Sequence, residues 1–384
     1  MQLQLLQWLR ASRITTEGSY AVMSTYFEGD TDYAVAPGEF IRDWIDENEV
    51  SQAWLARQLG VSRKHVSMLL SGARLTEDVA MKLELVTGIP SRIWLGYEAT
   101  YRADVARLAL MEELASERAL AELFPLRELR ALKVVTARIT NPGAVLLELM
   151  ALFRVGSVSA LRQCTLSPAA AYRQGTAHEV DPAAVSTWLR LCEIESESQG
   201  TALAGYDREG LESLVPELRA LSMTPPDHFG AKLREQLAEV GVELVYVPEI
   251  KGARAYGATR WIGGRPVICL TLRGATDGNF WFTLFHEIGH VLIHPHNEVF
   301  IQSKDEGTNS KAEEEANVYA GSILIPESHE AELAGLRSKA DVVRFASRIG
   351  VSPGVVVGRL WHDGLWPYTN GHQLCMRLRI AVDD

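Results

Sequence analysis

A five-residue pattern, His286-Glu287-Ile288-Gly289-His290, restricts more than any other feature what this chain can form. Residues four apart lie on one face of an α-helix, so His286 and His290 point the same way there. That spacing allows both imidazoles to bind one Zn²⁺, with Glu287 as the general base that acts on a metal-bound water. The pattern is short enough to arise by chance, so its surroundings decide whether it is a metal site.

The composition is that of an ordinary globular chain. Of its 384 residues, 47% are hydrophobic and 23% charged, which allows two or three domains with separate cores. The net charge of −11 argues against a chain that coats nucleic acid indiscriminately, although one surface can still be basic. The four cysteines include no CxxC pair, and no apolar run is long enough to span a membrane. We therefore expect a cytoplasmic protein with reduced thiols and no membrane association.

The helix, strand and turn signals predict a mainly α (α+β) fold with four segments. Residues 1–35 form an N-terminal arm, and residues 36–102 form a five-helix helix-turn-helix domain that binds DNA. Residues 103–222 form a helical connector without an evident chemical site. Residues 223–384 form a zincin-like metallopeptidase domain with a small β-sheet and a C-terminal helical tail.

The interval between Glu49 and Glu77 contains no carboxylate but four basic residues. Two short helices are predicted there, separated by Gly60-Val61-Ser62, as in a helix-turn-helix whose second helix enters the DNA major groove. A basic face in an acidic chain is typical of a surface that contacts phosphate. The residues predicted to contact DNA are Gln52, Ser62, Arg63, Lys64, Ser67 and Arg74. The alternative is a helical interaction module whose basic face is only solvated.

This part of the chain has a family resemblance, carried by PGEFIRDWIDENEVSQAWLARQLGVSRKHVSMLLSGARLTEDVAMKLELVTGIPSRIWL, which begins at Pro37. The run resembles the helix-turn-helix domain of the HigA-type antitoxin regulators, a branch of the Xre repressors. The resemblance implies that the domain binds operator DNA as a homodimer and represses its own operon. It also implies a cognate toxin as a further partner.

A β-rich stretch precedes the histidine pattern. The run VELVYVP predicts a short strand, and ATRWIGGRPVICLTLR predicts a hairpin around Gly263-Gly264. Asp277 is expected to cap the helix that carries the two histidines. A helix and a small sheet before such a helix are the organisation of a zincin protease, in which an edge strand can present substrate backbone.

A catalytic zinc site needs a third protein ligand, and three residues are candidates for it. His296 follows His290 at the metzincin distance. That class, however, needs a glycine where this chain has Ile293, and Pro295 interrupts the segment. The other two candidates are glutamates of the next predicted helix, KAEEEANVYAGSILIP.

Glu313 is favoured over Glu315 as the third ligand. On a helix Glu313 shares a face with Ala316 and Ala320, whose small side chains allow a close approach to the histidine helix. Asn317, on the same face, is expected to hydrogen-bond a zinc-bound histidine. The residues predicted to support the ligands, or to replace one, are Glu315, Asn317, His294 and Tyr319.

Three linked segments carry a second resemblance: FTLFHEIGH, then EEEAN-x-Y-A, then ILIP. From about Gly205 to the C-terminus the chain resembles the ImmA/IrrE family of metallopeptidases. The resemblance implies a His-His-Glu zinc site, with Glu287 as general base and Glu313 as the glutamate ligand. Proteases of that family cut helix-turn-helix repressors and release genes held off under stress or in mobile elements. This chain departs from the family pattern because a DNA-binding domain is fused to the protease-like domain.

These observations predict a DNA-binding transcriptional regulator with a zinc-dependent endopeptidase domain. The domain would cleave a repressor-type protein, in trans or in cis, in a stress or mobile-element response. The alternative is a non-enzymatic, HigA-like antitoxin and autorepressor that uses its zincin domain for sensing or for binding a partner.

Overall fold

The computed structural model describes residues 33–166, 181–199, 205–271, 276–294, 300–303 and 311–378. Most of the predicted N-terminal arm lies outside these ranges, and so does His296. The described residues divide into two compact units, 33–121 with 137–149, and 122–136 with those from 150 onward. Residues of the predicted connector fall in both units, and the predicted domain boundaries stay a prediction.

The predicted mainly α fold is confirmed. The helices are α1 Pro37–Glu47, α2 Gln52–Leu59, α3 Arg63–Leu70, α4 Glu77–Thr87, α5 Ser91–Ala115, α6 Arg118–Ala121, α7 Leu126–Ala131, α8 Pro142–Leu152, α9 Val158–Leu166, α10 Pro182–Gln199, α11 Arg208–Ala220, α12 Pro226–Glu239, α13 Asp277–Ile293, α14 Lys311–Leu324, α15 Glu327–Leu333, α16 Lys339–Ile349 and α17 Pro353–His362. The strands are β1 Glu243–Tyr246, β2 Ala255–Ile262, β3 Arg265–Leu270 and β4 Phe300–Ser303. In the described ranges, no helix is long and apolar enough to cross a membrane.

Side-chain caps set the starts of α2 and α3 in the first unit. The hydroxyl of Ser51 accepts a hydrogen bond from the Trp54 amide, and that of Ser62 accepts one from the His65 amide, both at 3.1 Å. Gly60 ends α2 in the left-handed conformation, with φ of 65°. The predicted pair of short helices and the turn between them are confirmed.

The fifth helix differs from the sequence prediction. Helix α5 continues to Ala115 and does not end near residue 102, because no glycine or proline interrupts the chain after Gly96.

Helix α1 lies directly on α3, since a Cβ at Gly38 would be 2.3 Å from the Leu69 carbonyl oxygen.

The second unit contains a four-stranded sheet in the order β1-β3-β2-β4. Strands β1 and β3 are parallel, and β2 is antiparallel to both β3 and β4. The predicted hairpin is confirmed, because Gly263 and Gly264 connect β2 to β3 with φ of 58° and 80°. Strand β4, which lies at the edge of the sheet beside β2, was not predicted from the sequence.

Helix α13, which carries the histidine pattern, is buried along almost its whole length. It packs against β2 and β3 of the sheet and against α14 and α17. Its N-cap is Thr276, whose hydroxyl accepts a hydrogen bond from the Asn279 amide at 3.4 Å, so the prediction that Asp277 caps it is wrong. Asp277 is instead fully buried and accepts hydrogen bonds from the Ser352 hydroxyl at 2.6 Å and the Met376 amide at 2.9 Å. The carboxylate therefore ties the start of α13 to the start of α17 and to the C-terminal segment.

Arg219, in α11, holds the ends of two other helices together. Its guanidinium donates hydrogen bonds to the carbonyls of Ile323 and Leu324 at 2.7 and 3.1 Å, at the end of α14. It also donates to Ile349 and Gly350 at 2.7 and 3.4 Å, at the end of α16. Because the last carbonyls of a helix lack partners within it and carry partial negative charge, one cation satisfies both ends.

We predict that Arg219→Met lowers the free energy of unfolding by about 2–4 kcal/mol, since several part-buried carbonyls lose a charged donor. The matched control is Arg208→Met in the same helix, because Arg208 is exposed and, among the described residues, forms its ion pair with Glu212. That change should cost less than about 0.5 kcal/mol. Chemical denaturation of the full-length variants measures both. Equal losses for the two variants would contradict the role assigned to Arg219.

Candidate metal centre

Three side chains from α13 and α14 converge in the second unit. The Nε2 atoms of His286 and His290 are 2.9 Å apart. The carboxylate of Glu313 lies beside them, at 3.2 Å from His286 Nε2 and 3.5 Å from His290 Nε2. Among the described residues, these are the ones grouped closely enough to hold a metal ion, with one donor atom from each within 4.8 Å of the others.

Small residues bring the two helices close enough for this convergence. A Cβ at Gly289 would lie 3.1 Å from the ring of Tyr319 and 3.4 Å from the Cα of Ala316. Ala316 and Ala320 are fully buried on the facing side of α14. A larger side chain at these positions would separate the helices, and Glu313 would move away from the histidines.

The outer ring nitrogens of the two histidines also have partners. Asn317 Oδ1 lies 2.9 Å from His286 Nδ1. On the other side, His290 Nδ1 lies 2.9 Å from His294 Nδ1, and His294 Nε2 lies 3.2 Å from a carboxylate oxygen of Glu315. These contacts lie on two sides of the three candidate ligands, His286, His290 and Glu313.

The partners determine where each imidazole carries its proton. The Asn317 oxygen accepts a hydrogen bond, so a neutral His286 carries its proton on Nδ1. The Glu315 carboxylate also accepts, so His294 donates from Nε2 and its Nδ1 can accept from His290 Nδ1. The Nε2 atoms of both His286 and His290 are then left as acceptors that face each other.

The charges of the three central groups suit a cation. Burial is the main cause that lowers the pKa of His290, to about 4, so the ring is neutral near pH 7. Burial alone would raise the pKa of Glu313, but its contacts with His286 and His290 outweigh that effect and lower the pKa to about 2. When each imidazole carries its proton on the outer nitrogen, both Nε2 atoms and the Glu313 carboxylate can present metal-binding atoms to one point. This is the donor set of a zinc site with three protein ligands and one open position.

Glu287 is fully buried and turns toward the sheet. Its Oε2 accepts a hydrogen bond from the Thr259 hydroxyl of β2 at 2.7 Å. Its Oε1 has no hydrogen-bond partner in the described part of the chain. Burial raises the pKa of Glu287 well above its usual value, and the nearby Glu313 carboxylate adds to the rise. Sequence reasoning missed Thr259, because an isolated threonine in a strand carries no motif.

The other predicted site residues of α14 lie further from the central group. Glu315 contacts His294 and Lys311, each at 3.2 Å, and Glu314 is exposed. The ring of Tyr319 packs on Gly289, and burial, followed by the Glu212 carboxylate, raises the pKa of its hydroxyl to about 12.

The residues predicted to contact DNA lie in the first unit and are all exposed. They are Gln52, Ser62, Arg63, Lys64, Ser67 and Arg74. Ser62 uses its hydroxyl to cap α3, and the three cations form no ion pair with another described residue. On α3 the buried side chains are Val66, Leu69 and Leu70, so the exposed positions occupy the opposite face.

Two comparisons with known proteins agree with this division of the chain. Residues 239–360 match the Peptidase_M78 family, described as an IrrE N-terminal-like domain. The N-terminal region is similar to YddM, an uncharacterized HTH-type transcriptional regulator of Escherichia coli strain K12. The two are 36% identical over an alignment of 80 residues, and the match covers 19% of this chain and 85% of the relative. The chain therefore belongs to the family of that helix-turn-helix regulator and carries, in its C-terminal half, an IrrE N-terminal-like peptidase domain.

Proposed function

We propose that this protein is a transcriptional regulator that binds operator DNA through α3 and cleaves a repressor-type protein with a zinc-dependent endopeptidase domain. The observation that carries the proposal is the convergence of His286, His290 and Glu313, with the outer nitrogen of each histidine already occupied. Such an arrangement directs both inner nitrogens and the Glu313 carboxylate to one point where a metal ion can bind, and the peptidase family match supports the same proposal.

The proposed ligands are His286, His290 and Glu313. Zinc bound by them would supply Lewis acidity, which polarises a water molecule and the peptide carbonyl. Glu287 accepts the proton of the attacking water and later delivers it to the amine that leaves, so the peptide bond breaks without net proton change. Because burial raises the pKa of Glu287, this carboxylate takes up a proton more readily than a solvated glutamate.

The DNA-binding half of the proposal rests on the exposed face of α3 and on the similarity to a helix-turn-helix regulator. Arg63 and Lys64 stand in the first turn of α3, where a recognition helix meets base edges and phosphates. The resemblance to the HigA-type regulators extends the proposal to a homodimer on two operator half-sites and to a toxin as a further partner. The proposed substrate is a helix-turn-helix repressor, either another protein or this chain itself.

The ligand assignment predicts different effects for three neighbouring glutamates of α14. Glu313→Ala should weaken zinc binding by more than about a hundredfold, because loss of a group that only supports a ligand costs about 10- to 100-fold. Glu315→Ala should weaken it by less than about tenfold, since Glu315 acts only through His294 and is partly solvated. Glu314→Ala, at an exposed position of the same turn, is the control with no effect. Competition with a chromophoric chelator measures all three affinities.

A different ranking would overturn the assignment. If Glu315→Ala loses zinc while Glu313→Ala keeps it, then Glu315 is the third ligand. If the wild-type chain itself binds no zinc, the proposed metal site is wrong.

Proteolysis is tested by comparing cells that express the wild-type chain with cells that express Glu287→Gln. The wild type should generate new protein N-termini within a helix-turn-helix repressor, or within its own sequence. Glu287→Gln should generate none, because the amide cannot accept the proton, yet it should keep zinc and DNA binding. Mass spectrometry of labelled N-termini detects the cut sites. Transcriptional control that is unchanged in Glu287→Gln would show that regulation proceeds without cleavage, as in a non-enzymatic antitoxin.

The DNA-binding face predicts a specific dependence on salt. Lys64→Gln should reduce the slope of log K against log salt concentration by about 1, because one phosphate contact is lost. Lys339→Gln, at an exposed lysine of α16 in the other unit, is the matched control and should leave the slope unchanged. Titrations with duplexes selected from a random-sequence pool measure the slopes. Equal slopes for Lys64→Gln and the wild type would exclude Lys64 from the interface.

A further inference from the structure

The sheet contributes to the surroundings of the proposed base through two residues of β2. Thr259 is only 1% exposed, and its hydroxyl lies 2.7 Å from Glu287 Oε2 and 3.1 Å from the Glu287 backbone carbonyl. Gly257 is two residues earlier, so it faces the same side of the sheet. A Cβ at Gly257 would lie 2.6 Å from Glu287 Oε1 and 2.7 Å from a methyl carbon of Thr283. One oxygen of the carboxyl group is therefore held by a hydroxyl, and the other lies against a position without a side chain.

A hydroxyl suits this place because it both donates and accepts hydrogen bonds. Toward the carboxylate, Thr259 donates its proton to Oε2. The same hydroxyl lies 3.1 Å from the Glu287 backbone carbonyl, so Thr259 contacts both the side chain and the backbone of that residue. Valine has the same shape but offers neither hydrogen bond.

We propose that Thr259 is a positioning residue that holds the carboxyl group of Glu287 through one oxygen, while Gly257 leaves room for the other. The inference rests on the proposed function, in which Glu287 is the base. It assigns to strand β2 the positioning of this carboxyl group, which α13 alone does not provide. Among the described residues, Thr259 is the one hydrogen-bond partner of this carboxyl group, so its loss leaves a buried carboxyl group with no hydrogen bond to orient it.

The test uses the full-length chain loaded with Co²⁺ and titrated with acetohydroxamate, whose binding is followed in the visible spectrum. The ligand is supplied as acetohydroxamic acid, which binds a divalent metal through its two oxygens; its O–H bond breaks, and the proton passes to a nearby carboxylate. The affinity therefore reports the position of Glu287 without requiring a known peptide substrate. The variants are Thr259→Val, Thr259→Ser and the reference Glu287→Gln. The matched control is Thr187→Val, which removes a buried hydroxyl that donates to the Ala183 carbonyl in α10.

Thr259→Val should weaken acetohydroxamate binding about tenfold, because the hydrogen bond to the Glu287 carboxyl group is lost. The reference variant Glu287→Gln should also weaken this binding. Thr259→Ser should restore the affinity to within about threefold of the wild type, and Thr187→Val should not change it. Cobalt affinity should be the same in the wild type, Thr259→Val, Thr259→Ser and Thr187→Val. Neither threonine forms a hydrogen bond to a proposed ligand among the described residues. If Thr259→Val fails to load cobalt, Thr259→Ala takes its place, because a smaller side chain cannot crowd the site.

Two results would contradict the inference, and they differ from each other. If the wild type binds cobalt but Thr259→Val and Thr187→Val bind acetohydroxamate with equal affinity, Thr259 does not position Glu287. The proposed metal site is then unaffected. If the wild type binds no cobalt, the proposed function fails, and the inference fails with it.

Discussion

The close contact between α13 and α14 is the interaction on which the candidate site depends. Gly289 on one helix faces Ala316 on the other, and a Cβ at Gly289 would already lie 3.4 Å from the Ala316 Cα. Only at this separation can Glu313, from the second helix, come within 3.2 Å of His286 on the first. The packing of small residues therefore sets the geometry of the polar groups, because buried side chains cannot shift far in a dense interior.

Polar groups on a buried helix need partners, and several of those on α13 find them on three sides. Asn317 and His294 contact the outer nitrogens of the two histidines, and Thr259 of the sheet contacts Glu287. At the start of the helix, Asp277 binds the Ser352 hydroxyl. An unpartnered buried carboxylate or imidazole would be costly, so these contacts both stabilise the fold and fix the orientation of the groups that would do chemistry.

Local sequence signals predicted the parts of the structure that depend on neighbours in the chain. Serine caps and Gly60 define the two helices around the helix-turn-helix turn, and Gly263 and Gly264 define the hairpin. The preference for Glu313 followed from helical periodicity, and the structure has its carboxylate beside both histidines, while its role as a ligand stays a prediction.

Features that depend on distant parts of the chain could not be predicted in this way. Strand β4 is short and pairs only with β2, so its sequence carries little signal of its own. Thr259 reaches Glu287 across 28 positions, and Asp277 reaches Ser352 across 75. Asp277 resembles a helix cap in sequence, yet Thr276 before it takes that position and leaves Asp277 for a tertiary contact.

The central claim is that His286, His290 and Glu313 bind one zinc ion. A crystal structure of the zinc-loaded chain, with anomalous scattering measured on both sides of the zinc absorption edge, tests it most directly. The account predicts a single peak at about 2.0–2.2 Å from the Nε2 atoms of both histidines and from a carboxylate oxygen of Glu313. A peak bound by His294 and Glu315 instead, or no peak between α13 and α14, would contradict it.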